Sequence, residues 1–418
     1  MKILHVNLSD RIGGASIAMH RIHHGLRQLG VDSNLLVQRL SDPALVDEPE
    51  INLISTGWSR KVGLVKYKVA TRLGKMQQDP ASFFCSINFF PNHLLKQIEK
   101  IKPDLVNLHW VGAEILHIED LPKIGVPIAW TLMDMWPFCG AEHYDFGDRF
   151  RNAYDAKSRD PKATGTDWNQ KVWRRKYEAW SNTPVTTVSP STWIQECARD
   201  SSLWRGRSDC HHEMIPFGLD ASIFRPRDKQ ECRTKHNLHG DKPLLLFGAD
   251  NISSPMKGMS WLIEAIKELH ETGFQFRIAS FGRGDITAHI DPSIESVSLG
   301  SISSPETLSE IYCAADLMLV PSRLESFGQT ASEANASGTP VVCFDISGVT
   351  DIVVHKETGY RAEPYSPVDL AKGIRWCLES EERLEKLGKT AATRANQLFD
   401  IKSVAKQYKE LYERMLSH

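Results

Sequence analysis

Leu317-Met318-Leu319-Val320, then Pro321-Ser322-Arg323-Leu324-Glu325-Ser326-Phe327-Gly328, then Gln329-Thr330-Ala331-Ser332-Glu333-Ala334-Asn335-Ala336 reads as a buried strand, a turn and a helix in immediate succession. That order brings the backbone N–H groups from Gly328 to Ala331 to a helix N-terminus, where aligned peptide dipoles favour an anion such as a diphosphate. Glu325 precedes this seat and Glu333 lies about two turns along it. The two carboxylates can therefore hold hydroxyls on either side of the anion, an arrangement that fits a sugar, a diphosphate and a ribose in a row. The plain alternative is two unrelated glutamates on a surface helix. After Gly338 the strand text resumes at Pro340-Val341-Val342-Cys343.

Working outward, the same alternation runs through the chain. Ile3 to Asn7 is apolar, a loop containing Gly13-Gly14 follows, and Ala15 to Leu29 reads as a helix closed by Gly30. Further β-rich runs stand at Leu35-Leu36-Val37, Leu105 to Leu108, Ile128 to Thr131 and Val185 to Val188. Pro103, Pro127 and Pro184 open the last three. A second series starts near Pro243 with Leu244 to Gly248, then Phe276 to Ser280. Strands alternating with helices predict an α/β fold of parallel sheets. At 418 residues the chain exceeds one hydrophobic core. We therefore expect two Rossmann-like, doubly wound domains facing one cleft, over 1–215 and 216–395, hinged at Ile215-Pro216-Phe217-Gly218-Leu219-Asp220. A helix within 396–418 is expected to return to the first domain. Residues 145–167, polar and dense in Arg, Asp and Lys, read as a long mobile loop: an acceptor lid or a solvated insertion.

Composition narrows the function. Fifty basic residues against 52 acidic ones give no global field for nucleic acid. No apolar run is long enough to span a bilayer and the start lacks a signal-peptide core, so a cytoplasmic location is expected. The eight cysteines are scattered singly, without a CxxC pair, and Cys210-His211-His212 offers no tetrahedral set. No metal or other cofactor is expected. Neither half carries GxGxxG between strand and helix, which argues against a dinucleotide dehydrogenase.

Glu325 and Glu333, with seven residues between them, and the flanking Pro321-Ser322 and Gly338-Thr339-Pro340-Val341-Val342 resemble the retaining GT-B glycosyltransferases of family 4. The likeness extends to Ile215-Pro216-Phe217-Gly218-Leu219-Asp220, although Phe217 stands where asparagine is common, to Gly359-Tyr360 and to Gly13-Gly14. The segment Thr131 to Phe138 resembles members that build bacterial exopolysaccharides. The resemblance implies a nucleotide-sugar donor and a glycan or lipid-linked glycan acceptor. UDP-glucose is the first choice of donor and GDP-mannose the next. It assigns catalytic roles to His109, Lys257 and Glu325. Donor contacts fall to Gly13, Gly14, Asn251, Lys257, Arg283, Ile302, Phe327, Gly328, Gln329, Thr330 and Glu333. Glu325 would meet the transferred sugar, Glu333 the ribose, Lys257 the phosphates and His109 the region of the anomeric carbon. Asn251 occupies the place of the family's usual arginine, for which Arg283 or Arg11 would have to compensate. Asp134 either accepts from the acceptor hydroxyl or caps its turn. Net retention by front-face substitution is expected, with the departing phosphate taking the acceptor proton.

Trp58, Val62, Val65, Val69, Leu73 and Met76 recur at helical spacing among Arg60, Lys61, Lys66, Lys68, Arg72 and Lys75, with no acidic residue between them. This stripe either faces the core or rests on an anionic leaflet as a peripheral membrane contact. Two rival functions stay open: a nucleotide-sugar 2-epimerase of the same fold, and a nucleotide-sugar-binding protein without turnover.

Overall fold

A computed structural model describes residues 1–79 and 84–417. They form two compact units, Met1–Pro216 with Val404–His418, and Phe217–Ser403. The chain leaves the second unit at 404 rather than at the expected 396. Helix Glu381–Phe399 causes the delay, because it buries Leu387, Ala391, Ala395 and Phe399 in that unit to its last residue.

The first unit is built on seven parallel strands in the spatial order Ile51–Leu53, Asp32–Arg39, Lys2–Ser9, Leu105–Leu108, Ile128–Thr131, Val185–Ser189 and Cys210–Met214. The second has six, ordered Ser296–Ser298, Arg277–Arg283, Leu244–Asn251, Leu317–Val320, Val341–Phe344 and Gly359–Ala362, again all parallel. The central strands are buried along their whole length, as helices on both faces of a sheet require. In each sheet the chain order reverses once: between Lys2–Ser9 and Leu105–Leu108, and between Leu244–Asn251 and Leu317–Val320. The connections leaving the carboxyl ends on either side of such a reversal go to opposite faces of the sheet, and doubly wound sheets bind ligands there.

Two expectations need correction. Residues 145–167 are anchored, not a mobile loop. Phe150 and Tyr154 are buried, Arg149 grips Asp167 through both terminal nitrogens (2.7 and 3.3 Å), and Thr164–Gly165 pairs antiparallel with Gln77–Gln78. The apolar stripe on helix Gly57–Gly74 does not face the core over most of its length. Ala70 is the only residue buried there, while Trp58 is 77% exposed and Val65 61%.

Helix Ile401–Leu416 inserts Tyr408 and Tyr412 into the first unit. Asn107 Nδ2 donates to the Tyr412 hydroxyl at 2.6 Å, and the Tyr408 hydroxyl lies 3.3 Å from Thr131 Oγ1. Tyr412→Ala is expected to cost about 3–5 kcal/mol, read as a lower urea midpoint; an unchanged midpoint would detach this helix from the core.

Candidate functional site

In the second unit the strand Leu244–Asn251 ends in a bulge, and residues 252–258 then turn back over the loop that leaves Leu317–Val320. Gly258 makes that turn at φ 72°, and a Cβ on it would lie 1.7 Å from the Pro321 carbonyl oxygen. Only glycine allows both the left-handed backbone and this approach. The result brings Lys257 to Glu325, with Nζ donating to Oε1 at 2.7 Å. Ser322 Oγ donates to the same oxygen at 2.8 Å. The Glu325 backbone is clamped by Ser347 Oγ at its N–H and by the Gly348 N–H at its carbonyl.

Gly328 follows at φ 104° as the N-cap of helix Gln329–Ala336, whose first turn has no side-chain cap. The Ala331 N–H is already bonded to the Gly328 carbonyl (2.9 Å), so the anion seat is one amide shorter than the Gly328 to Ala331 expected. Glu333 lies on the second turn, buried, with the Tyr312 hydroxyl donating to Oε2 at 3.1 Å. The Phe327 ring packs edge-on against Phe217 and Phe399, so it can offer a donor only its main chain. The packing also gives Phe217 its role, since asparagine there would leave an amide in an aromatic cluster. Asn251 Oδ1 accepts from the Ser253 N–H, a local turn contact. Arg283 pairs with Asp250 at 2.6 Å, both side chains more than half exposed, which draws its charge away from Lys257. Ile302 lies half-buried in the loop before helix Pro305–Ala314.

In the first unit the reversal is flanked by Gly13 (φ 83°), which caps helix Gly14–Gln28, and by His109. His109 Nε2 lies 2.9 Å from His5 Nδ1, with both rings buried. His109 Nδ1 and His5 Nε2 have no hydrogen-bond partner among the described residues. Two neutral imidazoles carry two N–H groups and the mutual bond uses one, so either tautomer leaves one buried donor and one buried acceptor unsatisfied. Burial holds His109 down to about 3 and, with the neighbouring imidazoles, His23 to about 2; His5 is lowered by burial and by His109.

Asp134 is committed elsewhere. Its Oδ2 meets His143 Nδ1 at 2.5 Å, Oδ1 accepts from the Trp136 N–H, and His143 Nε2 continues to Ser86 Oγ at 2.8 Å. Trp110, the residue after His109, stacks on the His143 ring at 5.0 Å. Of the two roles expected for Asp134, turn cap is the one its bonds fulfil. Beneath this loop Lys176 is fully buried. Its Nζ donates to the carbonyls of Trp136, Cys139 and Gly140 and lies 3.7 Å from the Trp136 ring centre.

Cys139, Glu142 and Asp145 are the one group of metal-ligating type found together among the described residues, with ligand atoms within 4.8 Å of one another. Burial lifts Glu142 to about 8 and Cys139 higher, which keeps protons on both near neutrality, and the Tyr154 hydroxyl donates to Glu142. Cys210 and His211 point to opposite faces of their strand, as expected of neighbours. Sequence reasoning missed His5, His143, Ser86 and Lys176. The only available signal was the Glu142-His143-Tyr144 text nine residues after Asp134.

The chain matches a family model described as glycosyl transferases group 1 over residues 228–394. Those residues are a glycosyl transferases group 1 domain. The group 1 domain contains Lys257, Glu325 and Glu333 and lies within the second unit. A D-inositol 3-phosphate glycosyltransferase of Nocardia farcinica is 32% identical over 196 residues, 44% of this chain and 43% of that protein. The chain thus aligns with less than half the length of this relative. The protein of the same name from Corynebacterium jeikeium is 23% identical over 96% of this chain and 92% of its own. Among solved structures, HepE of Anabaena in complex with UDP and glucose has a TM-score of 0.70 at 16% identity, covering 99% of both chains. Sucrose-phosphate synthase of Thermosynechococcus elongatus has 0.68 at 19% identity, over 100% and 99%. The fold class is GT-B, two Rossmann-like units in one chain.

The buried imidazoles weaken the first unit in acid. In the unfolded chain they protonate near 6.5, whereas folded His23 and His109 do so only near 2 and 3. A lowered folded pKa gives stability that is complete above 6.5 and lost as pH falls below it, at about 1.4 kcal/mol per pH unit for each group. Tryptophan fluorescence is expected to report unfolding of this unit between about pH 6 and 4. His23→Asn is expected to move that midpoint lower; an unmoved midpoint would exclude His23 as its source. For the second unit, Gly258→Ala is expected to cost about 2 kcal/mol or more and to displace Lys257, seen as a lower melting temperature together with lost nucleotide affinity.

Proposed function

We propose that the chain is a retaining glycosyltransferase that moves a hexose from a nucleotide-sugar to a glycan or lipid-linked glycan acceptor, without a metal ion, in polysaccharide assembly. The observation that carries this reading is the juxtaposition of Lys257 with Glu325, ahead of an uncapped helix start at Gly328 and one turn or more before Glu333. A cation, amide donors and two carboxylates are the groups a sugar diphosphate ester needs. UDP-glucose is the proposed donor, and the ligands of the Anabaena protein support a UDP-hexose. The acceptor is proposed to meet the first unit beyond the carboxyl ends of Lys2–Ser9 and Leu105–Leu108, where the strand order reverses. The name of the Nocardia farcinica protein adds a phosphorylated polyol to the acceptors worth testing.

In the proposed step the bond from the anomeric carbon to the phosphate oxygen breaks. The acceptor oxygen bonds the same carbon on the same face, and its proton passes to the released diphosphate. The protein supplies position and charge, with Lys257 facing the oxygens on which charge develops.

A second partner is favoured by helix Gly57–Gly74. Trp58, Val62, Val65 and Val69 are exposed beside Arg60, Lys61, Lys68 and Arg72, a pattern that suits an anionic lipid surface. No helix among the described residues is long and apolar enough to cross a membrane.

Nucleotide release from UDP- and GDP-sugars, with and without acceptor-containing extract, tests the reaction; release of an epimerised sugar without acceptor would favour the epimerase instead. Lys257→Ala is expected to lower kcat/KM about a hundredfold or more, Glu333→Ala to weaken donor binding, and EDTA to leave the rate unchanged. Wild-type turnover in the variants, or arrest by EDTA, would overturn those assignments. Vesicles containing phosphatidylglycerol are expected to sediment the protein where phosphatidylcholine vesicles do not. Trp58→Ala/Val65→Ser is expected to abolish this, and equal sedimentation with both lipids would remove the charge argument.

A further inference from the structure

The two side chains on which the donor reading leans hardest are bonded to each other. Lys257 Nζ and Ser322 Oγ both donate to Glu325 Oε1, at 2.7 and 2.8 Å. The Glu325 side chain is 14% exposed and that of Lys257 31%, so water compensates the carboxylate poorly if its cation is drawn away. The backbone cannot swing Glu325 out, because Ser347 Oγ and the Gly348 N–H hold its N–H and carbonyl. Gly258 fixes Lys257 in the same way from its own side.

From this geometry we infer that Glu325 makes the seat selective for a nucleoside diphosphate that carries a sugar over the same nucleoside diphosphate without one. The inference rests on the donor reading given above. A diphosphate of either kind competes with Glu325 for Lys257. The sugar ester brings hydroxyl groups that donate to the carboxylate as the lysine turns toward phosphate, so both partners of the original pair end satisfied. The free nucleoside diphosphate brings only further negative charge and leaves a part-buried carboxylate stripped of its cation. Removing one partner from such a pair costs far more than the pair itself contributes. The penalty falls on the wrong ligand alone, which is how discrimination is built against a competitor that shares most of its contacts. It also acts in the direction that expels the spent nucleotide after transfer.

The test is calorimetric titration of the full chain with UDP and with UDP-glucose, and with GDP and GDP-mannose, for the wild type and Glu325→Gln. The amide keeps the shape and removes the charge. The wild type is expected to prefer the sugar ester. Glu325→Gln is expected to tighten binding of the free nucleoside diphosphate and to cut the preference by about tenfold or more. Ser322→Ala, which keeps the charge, is expected to retain the preference and guards against a merely misfolded loop. If both ligands bind and their ratio differs by less than about twofold between wild type and Glu325→Gln, the selectivity is not Glu325's. If the wild type binds none of the four, the donor reading itself falls.

Discussion

The parallel order of the strands is the constraint from which everything else in this molecule follows. Parallel strands send all their carboxyl ends to one edge, and the crossover helices leave no freedom to do otherwise. Where the order reverses, the connections that follow two neighbouring loops go to opposite faces of the sheet. In the second unit those loops are 252–258 and 321–328, and in the first they are 10–14 and the residues after Leu108. Candidate ligand groups collect at these places because doubly wound sheets bind ligands beyond the carboxyl ends of their strands at the reversal.

The strands and the helix Gln329–Ala336 that carries Glu333 were readable because they are local. Apolar runs of four to eight residues, glycine where φ is positive, and proline where a strand begins all act within a few positions. The pairings were not readable because they join distant segments. Glu325 and Lys257 are 68 residues apart and His5 and His109 are 104 apart. A lone histidine inside Ile3-Leu4-His5-Val6 looks like filler until its neighbouring strand is known. Lys176 was invisible for a different reason. It sits on helix Trp168–Trp180 among Arg174, Arg175 and Lys171, where a charge is normally solvated, and only the carbonyl cluster at 136–140 turns it inward.

Charge density does not decide exposure in 145–167, and helical period does not decide burial in 57–76. In 145–167 the arginines and aspartates pair with one another and leave Phe150 and Tyr154 to fill the core. In 57–76 the opposite holds: the apolar residues kept their helical period, yet only Ala70 is buried. Periodicity establishes that a helix has a stripe, whereas which surface the stripe meets depends on elements elsewhere in the chain.

The two reversal points solve the same problem by different chemistry. Each must keep polar groups ready in a dry place before any ligand arrives, and unsatisfied groups are costly there. The second unit pairs opposite charges, so Lys257 and Glu325 neutralise one another and remain in position through Gly258 and Ser347. In the first unit burial strips the protons from His5, His23 and His109 and lets neutral rings pack in the interior. A paired charge can be exchanged for a ligand's charge without changing the local total, which suits a diphosphate seat. A neutral imidazole can instead be held in the interior without a counter-ion, at the cost of one donor and one acceptor left unpaired.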